Sequence, residues 1–310
     1  MKKIFYFHIG NHKTGTTSIQ LFLHNNRDLL KKNNLIYPEI DVSEMYNYNN
    51  NNVSWELSND KRFDKKKRTL SDLIKLIDSA ESNIIFSSED FPIVEYDNKK
   101  FQLLKNKITE NNFSIKIIIY LRNQIDHFRG MYQICLMLGI PFTSPNKLLA
   151  LLENSDIIKI NKLQFWFDYN KQIQQITKIF DIQTKDIICK SFHQEKNNLI
   201  SGFYKIIYNS SELDLGALDK KKFNTSLSQL QIKLLECFNK ISESESFSIE
   251  EKKTIKEFFA FSNNLKVGNN HYLTNHYNQM LRNRFSSSNS LVENNFNIQI
   301  NKSWKNSDYT

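Results

Sequence analysis

HIGNHKTGTTSIQLFL, residues His8 to Leu23, carries two of the chain's seven glycines, a lysine and three successive hydroxyl residues between an apolar run and an amphipathic one. Upstream, Ile4 to Ile9 is short, mostly apolar and ends at Gly10, which predicts a strand buried in a parallel sheet. Downstream, Ile19, Phe22, Leu23, Leu29 and Leu30 recur at helical spacing, with Thr16 or Thr17 available as N-cap. A glycine loop feeding a helix N-terminus gathers backbone N–H groups at the positive end of the helix dipole, so it suits an anion, phosphate first. A plain glycine turn with an exposed lysine is the alternative.

Working outward, the pattern repeats. Asn83 to Phe86 leads into Ser87, Ser88 and Glu89, Ile115 to Leu121 leads into Arg122, and Asp186 to Cys189 precedes KSFHQE. Helix-compatible segments such as Leu70 to Ile77 lie between, and the alternation predicts an α/β fold with a central parallel sheet flanked by helices. Ligands of such sheets bind outside the carboxyl ends of the strands, where Lys13, Thr16, Glu89 and Arg122 converge if these strands are neighbours. Gln124 to Leu138 reads as a helix and Asn47 to Val53 as a solvated low-complexity loop. The expectation is one domain over residues 1–310, with mostly helical extensions around 125–175 and 214–310.

Composition limits the function classes. With 310 residues and 40% hydrophobic content the chain builds a real core, and its net charge of +9 suits an anionic partner without identifying one. The KKK runs at Lys65 to Lys67 and Lys220 to Lys222 read as solvated loops, and no nucleic-acid motif accompanies them. Cys135, Cys189 and Cys237 lack a CxxC or metal spacing and are expected as buried thiols in a reducing compartment. The apolar run after Lys2 and Lys3 stops at His8 and no later one is long enough to span a membrane, so the cytoplasm is the expected location. His24, His127, His193, His271 and His276 show no ligand spacing, and no metal is expected. Phe165, Trp166 and Phe167 read as core, and Ser87 and Ser88 lack the GxSxG elbow of a hydrolase.

Gly10 and Gly15 have the spacing of the nucleotide pattern GxxxxGK[ST], but Thr16 stands where its lysine belongs and Lys13 lies inside the loop, beside a shorter phosphate group. HIGNHKTGTTSIQLFLHNNRDLLKKNNLIYP resembles the N-terminal segment of bacterial sulfotransferases that use 3′-phosphoadenosine 5′-phosphosulfate (PAPS), whose phosphosulfate loop has the form (P/H)KTGTTS. IIFSSEDF resembles their strand ending in Ser-Ser-Glu, and IIIYLRNQIDHFRGMYQ their 3′-phosphate segment. FNTSLSQLQIKLLECFN resembles their Asn-x-Ser-Leu segment and RFSSSNSLVENNF their closing helix, so the likeness covers nearly the whole chain.

The resemblance implies a P-loop NTPase-like sulfotransferase fold and a PAPS-dependent enzyme acting on a hydroxyl of a carbohydrate or surface glycan. It implies that Lys13, Thr14, Gly15, Thr16 and Thr17 hold the 5′-phosphosulfate, with Ser18 an extra donor, and that Arg122 contacts the 3′-phosphate. The family usually has a serine eight residues after that arginine, where this chain has Gly130; one lost hydrogen bond to a charged phosphate weakens binding by roughly 1.5–3 kcal/mol. Glu89, at a strand end facing the crevice, is the expected base for the acceptor hydroxyl, and Lys13 the group that neutralises the leaving oxygen. His12 is expected to bind phosphate or acceptor, and His8 to be a packed histidine donating to a carbonyl. A Mg²⁺-dependent kinase with Glu89 and Asp90 on the metal side, and a non-catalytic nucleotide-binding scaffold, are the competing readings.

Overall fold

The structure, a computed structural model, describes residues 2–38, 48–91, 98–140, 144–161, 163–208, 227–244, 247–262, 265, 275–302 and 304. The described strands are β1 (Lys3–Ile9), β2 (Leu35–Ile36), β3 (Asn83–Ser88), β4 (Phe113–Leu121), β5 (Ile157–Ile160), β6 (Leu163–Trp166) and β7 (Ile187–Ser191). Five of them form a parallel sheet in the order β2-β3-β1-β4-β7, and β5 and β6 pair separately as an antiparallel hairpin. The expected α/β class with a central parallel sheet is what the chain forms.

The helices of the first half are α1 (Thr16–Asn25), α2 (Arg27–Lys32), α3 (Asn51–Leu57), α4 (Leu70–Ser79), α5 (Lys99–Glu110) and α6 (Gln124–Leu138). Those of the second are α7 (Pro145–Glu153), α8 (Tyr169–Phe180), α9 (Phe192–Glu195), α10 (Leu199–Tyr208), α11 (Gln229–Ser244), α12 (Ile249–Phe261) and α13 (Asn275–Phe296). Because side chains alternate along a strand, β1 sends Phe5, Phe7 and Ile9 into one core and Tyr6 into another. The first core takes the apolar stripes of α4, α5 and α8; the second takes those of α1 and α10, so the sheet is covered on both faces. A third apolar cluster gathers α6, α7, the hairpin and parts of α11 to α13.

Three sequence expectations are corrected, and one stretch holds more than was expected. Asn51 to Val53 is helical, not loop, because Val53 and Leu57 stand one turn apart and both bury against the first core. The stretch around 125–175, expected as mostly helical, also holds the β5–β6 hairpin, whose turn residue Asn161 has φ 53°. Strand β7, expected over Asp186 to Cys189, runs from Ile187 to Ser191, two residues beyond the expected end, with Ser191 in register with Leu121. Cys135 and Cys189 are buried as expected, whereas Cys237 on α11 is exposed. Lys220 to Lys222, Asn224 to Ser226, Asn47 and His271 lie outside the described residues.

Register places the site. Ile9 of β1 is level with Ser88 of β3 and Ile119 of β4, so the loop after β1, Glu89 and the end of β4 emerge side by side along one edge of the sheet.

Candidate functional site

The loop between β1 and α1 bends through two left-handed residues, Lys13 at φ 64° and Gly15 at φ 81°. Gly15 is the N-cap of α1 and no side chain caps the helix, so the cap expected at Thr16 or Thr17 falls one residue earlier. Its lack of a side chain is required twice, since its φ is positive and a Cβ there would lie 2.3 Å from Leu199 Cδ2 of α10. No side chain occupies the start of α1, where the Ser18 and Ile19 N–H groups both donate to the Gly15 carbonyl, and a helix N-terminus at a glycine loop is the kind of arrangement that binds anions. Left-handed geometry costs a non-glycine residue such as Lys13 about 1–2 kcal/mol. Two bonds hold it: Arg122 Nη1 donates to the Lys13 carbonyl at 3.1 Å, and Thr14 Oγ1 donates to the Asn11 carbonyl at 2.6 Å. Thr14 is thereby buried and turned back into the loop, whereas Thr17 and Ser18 are half-buried on the first turn of α1.

Glu89 follows β3 and faces this loop. His12 Nδ1 lies 3.4 Å from Glu89 Oε2, with side-chain exposures of 11% and 26%, so the pair is sheltered but within reach of a ligand. Burial alone would raise the Glu89 carboxyl; the hydrogen bond and charge of His12, the Thr16 hydroxyl and Lys13 outweigh it and hold the group below its ordinary value. Burial likewise lowers His12, but Glu89, with Asp90 behind it, raises the imidazole above its ordinary value. Lys13 is pushed down by burial and by Arg122, against the pull of Glu89. One face of the His12 ring leans on Phe165, at 4.9 Å between centroids. Phe165, Trp166 and Phe167 are buried, as expected of core.

Asp90 turns the other way. Its Oδ2 accepts from Trp55 Nε1 at 2.5 Å and pairs with Arg62 Nη1 at 3.0 Å, so the two adjacent carboxylates do not converge on one point. His8 is buried, but its Nδ1 meets the Ser87 hydroxyl at 2.8 Å where a carbonyl was expected; burial pushes it down to about 4.

Arg122 stands at the end of β4, its guanidinium 5.5 Å from the Phe192 ring centroid and 20% exposed. Tyr169 Oη donates to the Arg122 carbonyl at 2.6 Å, fixing the backbone from α8. One turn into α6, Asp126 lies 3.8 Å from Arg122 Nε, 3.3 Å from Arg129 Nη1 and 2.9 Å from His193 Nε2. Burial would raise the Asp126 carboxyl, but His193, Arg122 and Arg129 outweigh it and hold it far below the carboxylate range. Behind this wall Gln124 and Asn289 of α13 exchange amide bonds at 2.8 Å each way.

The structure thus gathers Lys13, Gly15, Thr16, His12, Glu89 and Arg122 at one edge of the sheet and turns the Thr14 hydroxyl back onto the Asn11 carbonyl. Sequence reading missed Asp126, His193 and Tyr169. Asp126 alone carried a signal, four residues after Arg122 on a helix face; the other two come from distant elements.

No family model matches the chain, and no curated protein sequence matches it. Among solved structures it is similar to a sulfotransferase from Alicyclobacillus acidocaldarius, 12% identical, over 98% of this chain and 100% of that one, with a TM-score of 0.46. It is also similar to the PezAT toxin–antitoxin system of Streptococcus pneumoniae, 16% identical, over 69% of this chain and 81% of that one, with a TM-score of 0.31. At these scores neither likeness bears on function. Among the described residues no helix is long and apolar enough to cross a membrane.

Proposed function

We propose that the chain is a sulfotransferase that moves a sulfuryl group from PAPS to an acceptor hydroxyl of a carbohydrate or surface glycan. The observation that carries this reading is the placement of two cations, Lys13 and Arg122, beside the uncapped N-terminus of α1, with the Glu89 carboxylate on the neighbouring strand end. The residues present fit an anionic nucleotide: the loop offers helix N–H groups, and the buried Arg122 Nε has no hydrogen-bond partner among the described residues. The glycan acceptor rests on the sequence resemblance.

In the reaction an acceptor oxygen attacks sulfur in line while the bond from sulfur to the 5′-phosphate oxygen breaks. Lys13 would meet the charge that grows on that oxygen, and the N–H groups of α1 the 5′-phosphate. Glu89, ionised because His12, Thr16 and Lys13 favour its charged form, would take the proton of the acceptor hydroxyl. Thr16, Thr17 and Ser18 would add hydroxyl donors around the phosphosulfate, and Arg122 would take the 3′-phosphate. Nothing in these steps calls for a metal, and the cytoplasm is the proposed location.

The test is thermal stabilisation by adenosine 3′,5′-bisphosphate against 5′-AMP and ATP, each with and without Mg²⁺, since a ligand at a hundredfold its Kd adds about 2.7 kcal/mol. Selective stabilisation by the bisphosphate without Mg²⁺, lost in Lys13→Ala, supports the reading. Stabilisation only by ATP with Mg²⁺, or a full response in Lys13→Ala, sinks it.

A further inference from the structure

Gly130 sits on α6 where the resembled family has a serine, and its surroundings give that glycine a use. A Cβ built on Gly130 would lie 2.8 Å from Lys13 Cγ and 3.0 Å from Lys13 Cβ. The first distance is one that real Cβ atoms essentially never show and the second would require the neighbour to give by a few tenths of an ångström, and the atoms met are the root of the lysine side chain, not its mobile end. Rotation about Cα–Cβ can move Cγ but not Cβ, whose place is set by a backbone held left-handed at φ 64° with its carbonyl bonded to Arg122 Nη1 at 3.1 Å. Gly130 is also one turn from Asp126, so the stripe of α6 facing the loop runs from the Asp126 carboxylate to the bare backbone on which the lysine stem lies. Glycine is a poor residue inside a helix, so on propensity alone almost any replacement would favour α6.

We infer that Gly130 is a positioning residue: its missing side chain is the seat of the Lys13 stem, and it sets where the lysine ammonium enters the crevice. The inference deepens the proposed function and rests on it for its catalytic meaning. On that reading the chain has exchanged a side-chain ligand for the donor's second phosphate for a fixed lysine, leaving that phosphate to Arg122. A serine restored at 130 would therefore displace Lys13 instead of gaining a phosphate contact.

The experiment has two arms. In the first, Gly130→Ser and Gly130→Ala are made in the wild-type and the Lys13→Gly backgrounds, and thermal unfolding is followed without ligand. With Lys13 in place each replacement should lower Tm by roughly 2–4 °C or more; in the Lys13→Gly background the loss should shrink by at least half or turn into a gain. A variant that folds only when Lys13→Gly is also present counts in favour. Equal losses in both backgrounds, failure to fold in both, or no loss against Lys13 overturns the seat. In the second arm, Gly130→Ser should weaken stabilisation by both adenosine 3′,5′-bisphosphate and 5′-AMP at least fivefold. Selective tightening of the bisphosphate would show that the serine has found a phosphate, and would overturn the inference. If the wild type responds to neither nucleotide, the proposed function fails and the unfolding arm alone decides the seat.

Discussion

Arg122 Nη1 donates to the Lys13 carbonyl across 3.1 Å, so a residue at the end of β4 holds the backbone of the loop that follows β1. The same guanidinium is an expected ligand for the donor. On the proposed function it has two tasks, keeping a left-handed lysine in place and meeting an anion, and both would depend on its forked shape as well as its charge.

Arg122→Lys keeps the charge and loses the fork. Losing a hydrogen bond from a charged group costs about 1.5–3 kcal/mol, and the loop loses its grip at the same time. The expected outcome is a lower Tm without ligand together with at least tenfold weaker stabilisation by adenosine 3′,5′-bisphosphate. A variant with unchanged Tm and unchanged ligand response would contradict the double role.

Glu89→Gln removes the proposed base and leaves the shape of the crevice. General-base contributions are on the order of 10²–10⁴-fold, so kcat for sulfuryl transfer should fall within that range. Bisphosphate binding should stay within roughly twofold, the signature of an interaction used mainly in the transition state. Parallel loss of binding and turnover would instead make Glu89 part of the loop's architecture.

Stability should depend on pH through His12, Glu89 and His127. His12 is raised in the fold, so its contribution is complete below the unfolded imidazole value of about 6.5 and is lost as pH rises through the folded value. Glu89 is lowered, so its contribution is complete above the unfolded value of about 4.3 and is lost as pH falls through the folded one. The pair therefore helps most between about pH 4.3 and 6.5. His127 acts in the opposite sense: burial first, then the charges of His12 and Arg122, push it down to about 3, so below about pH 6.5 the unfolded chain takes up a proton that the fold refuses. Tm measured from pH 4 to 9 should show the deficit of His12→Asn largest near pH 5–6 and shrinking towards pH 9, while His127→Phe gains relative to wild type as pH falls. A His12→Asn deficit that is the same at every pH would deny the charged pair.

Tyr169→Phe deletes one hydroxyl, whose bond to the Arg122 carbonyl is 2.6 Å long. A net loss of about 1 kcal/mol in stability is expected, because the carbonyl is left without that donor. The bisphosphate should bind a few-fold more weakly, and 5′-AMP less affected, if Tyr169 steadies the residue that reads the second phosphate. Equal weakening of both nucleotides would place the effect in the loop.

The strands β1, β3, β4 and β7 were legible because each holds a short, mostly apolar run that stops at Gly10, Ser87, Arg122 or Lys190, the pattern expected of strands in a parallel sheet covered on both faces. Helix α6 was legible to the residue, since Asn123 caps its start through Asp126 N and Gly139 ends it with φ 67°. The hairpin of β5 and β6 was not, because four-residue strands joined at Asn161 carry no Asn-Gly or Asp-Gly turn to announce them.

Within the site, the loop and the strand-end residues were named from sequence because their chemistry is local. The contact of His12 with Glu89 depends on β1 and β3 being neighbours in a given register. The packing of Lys13 on Gly130 depends on a left-handed lysine, a conformation that sequence patterns assign to glycine or asparagine. Sequence reading could only mark Gly130 as a missing ligand; its use appears once the neighbouring side chain is seen.

The amide exchange between Gln124 and Asn289 spans 165 positions of the chain. A ribosome delivers the glycine loop and Gln124 before Asn289, which follows Gln124 by 165 positions, at about 5–20 residues per second. For the interval between them a nascent chain holds the loop and Arg122 without the clasp that α13 supplies behind α6. The backing of the site thus waits for a segment distant in sequence, and a chain released before α13 would lack the clasp even with the whole KTGTTS loop in place.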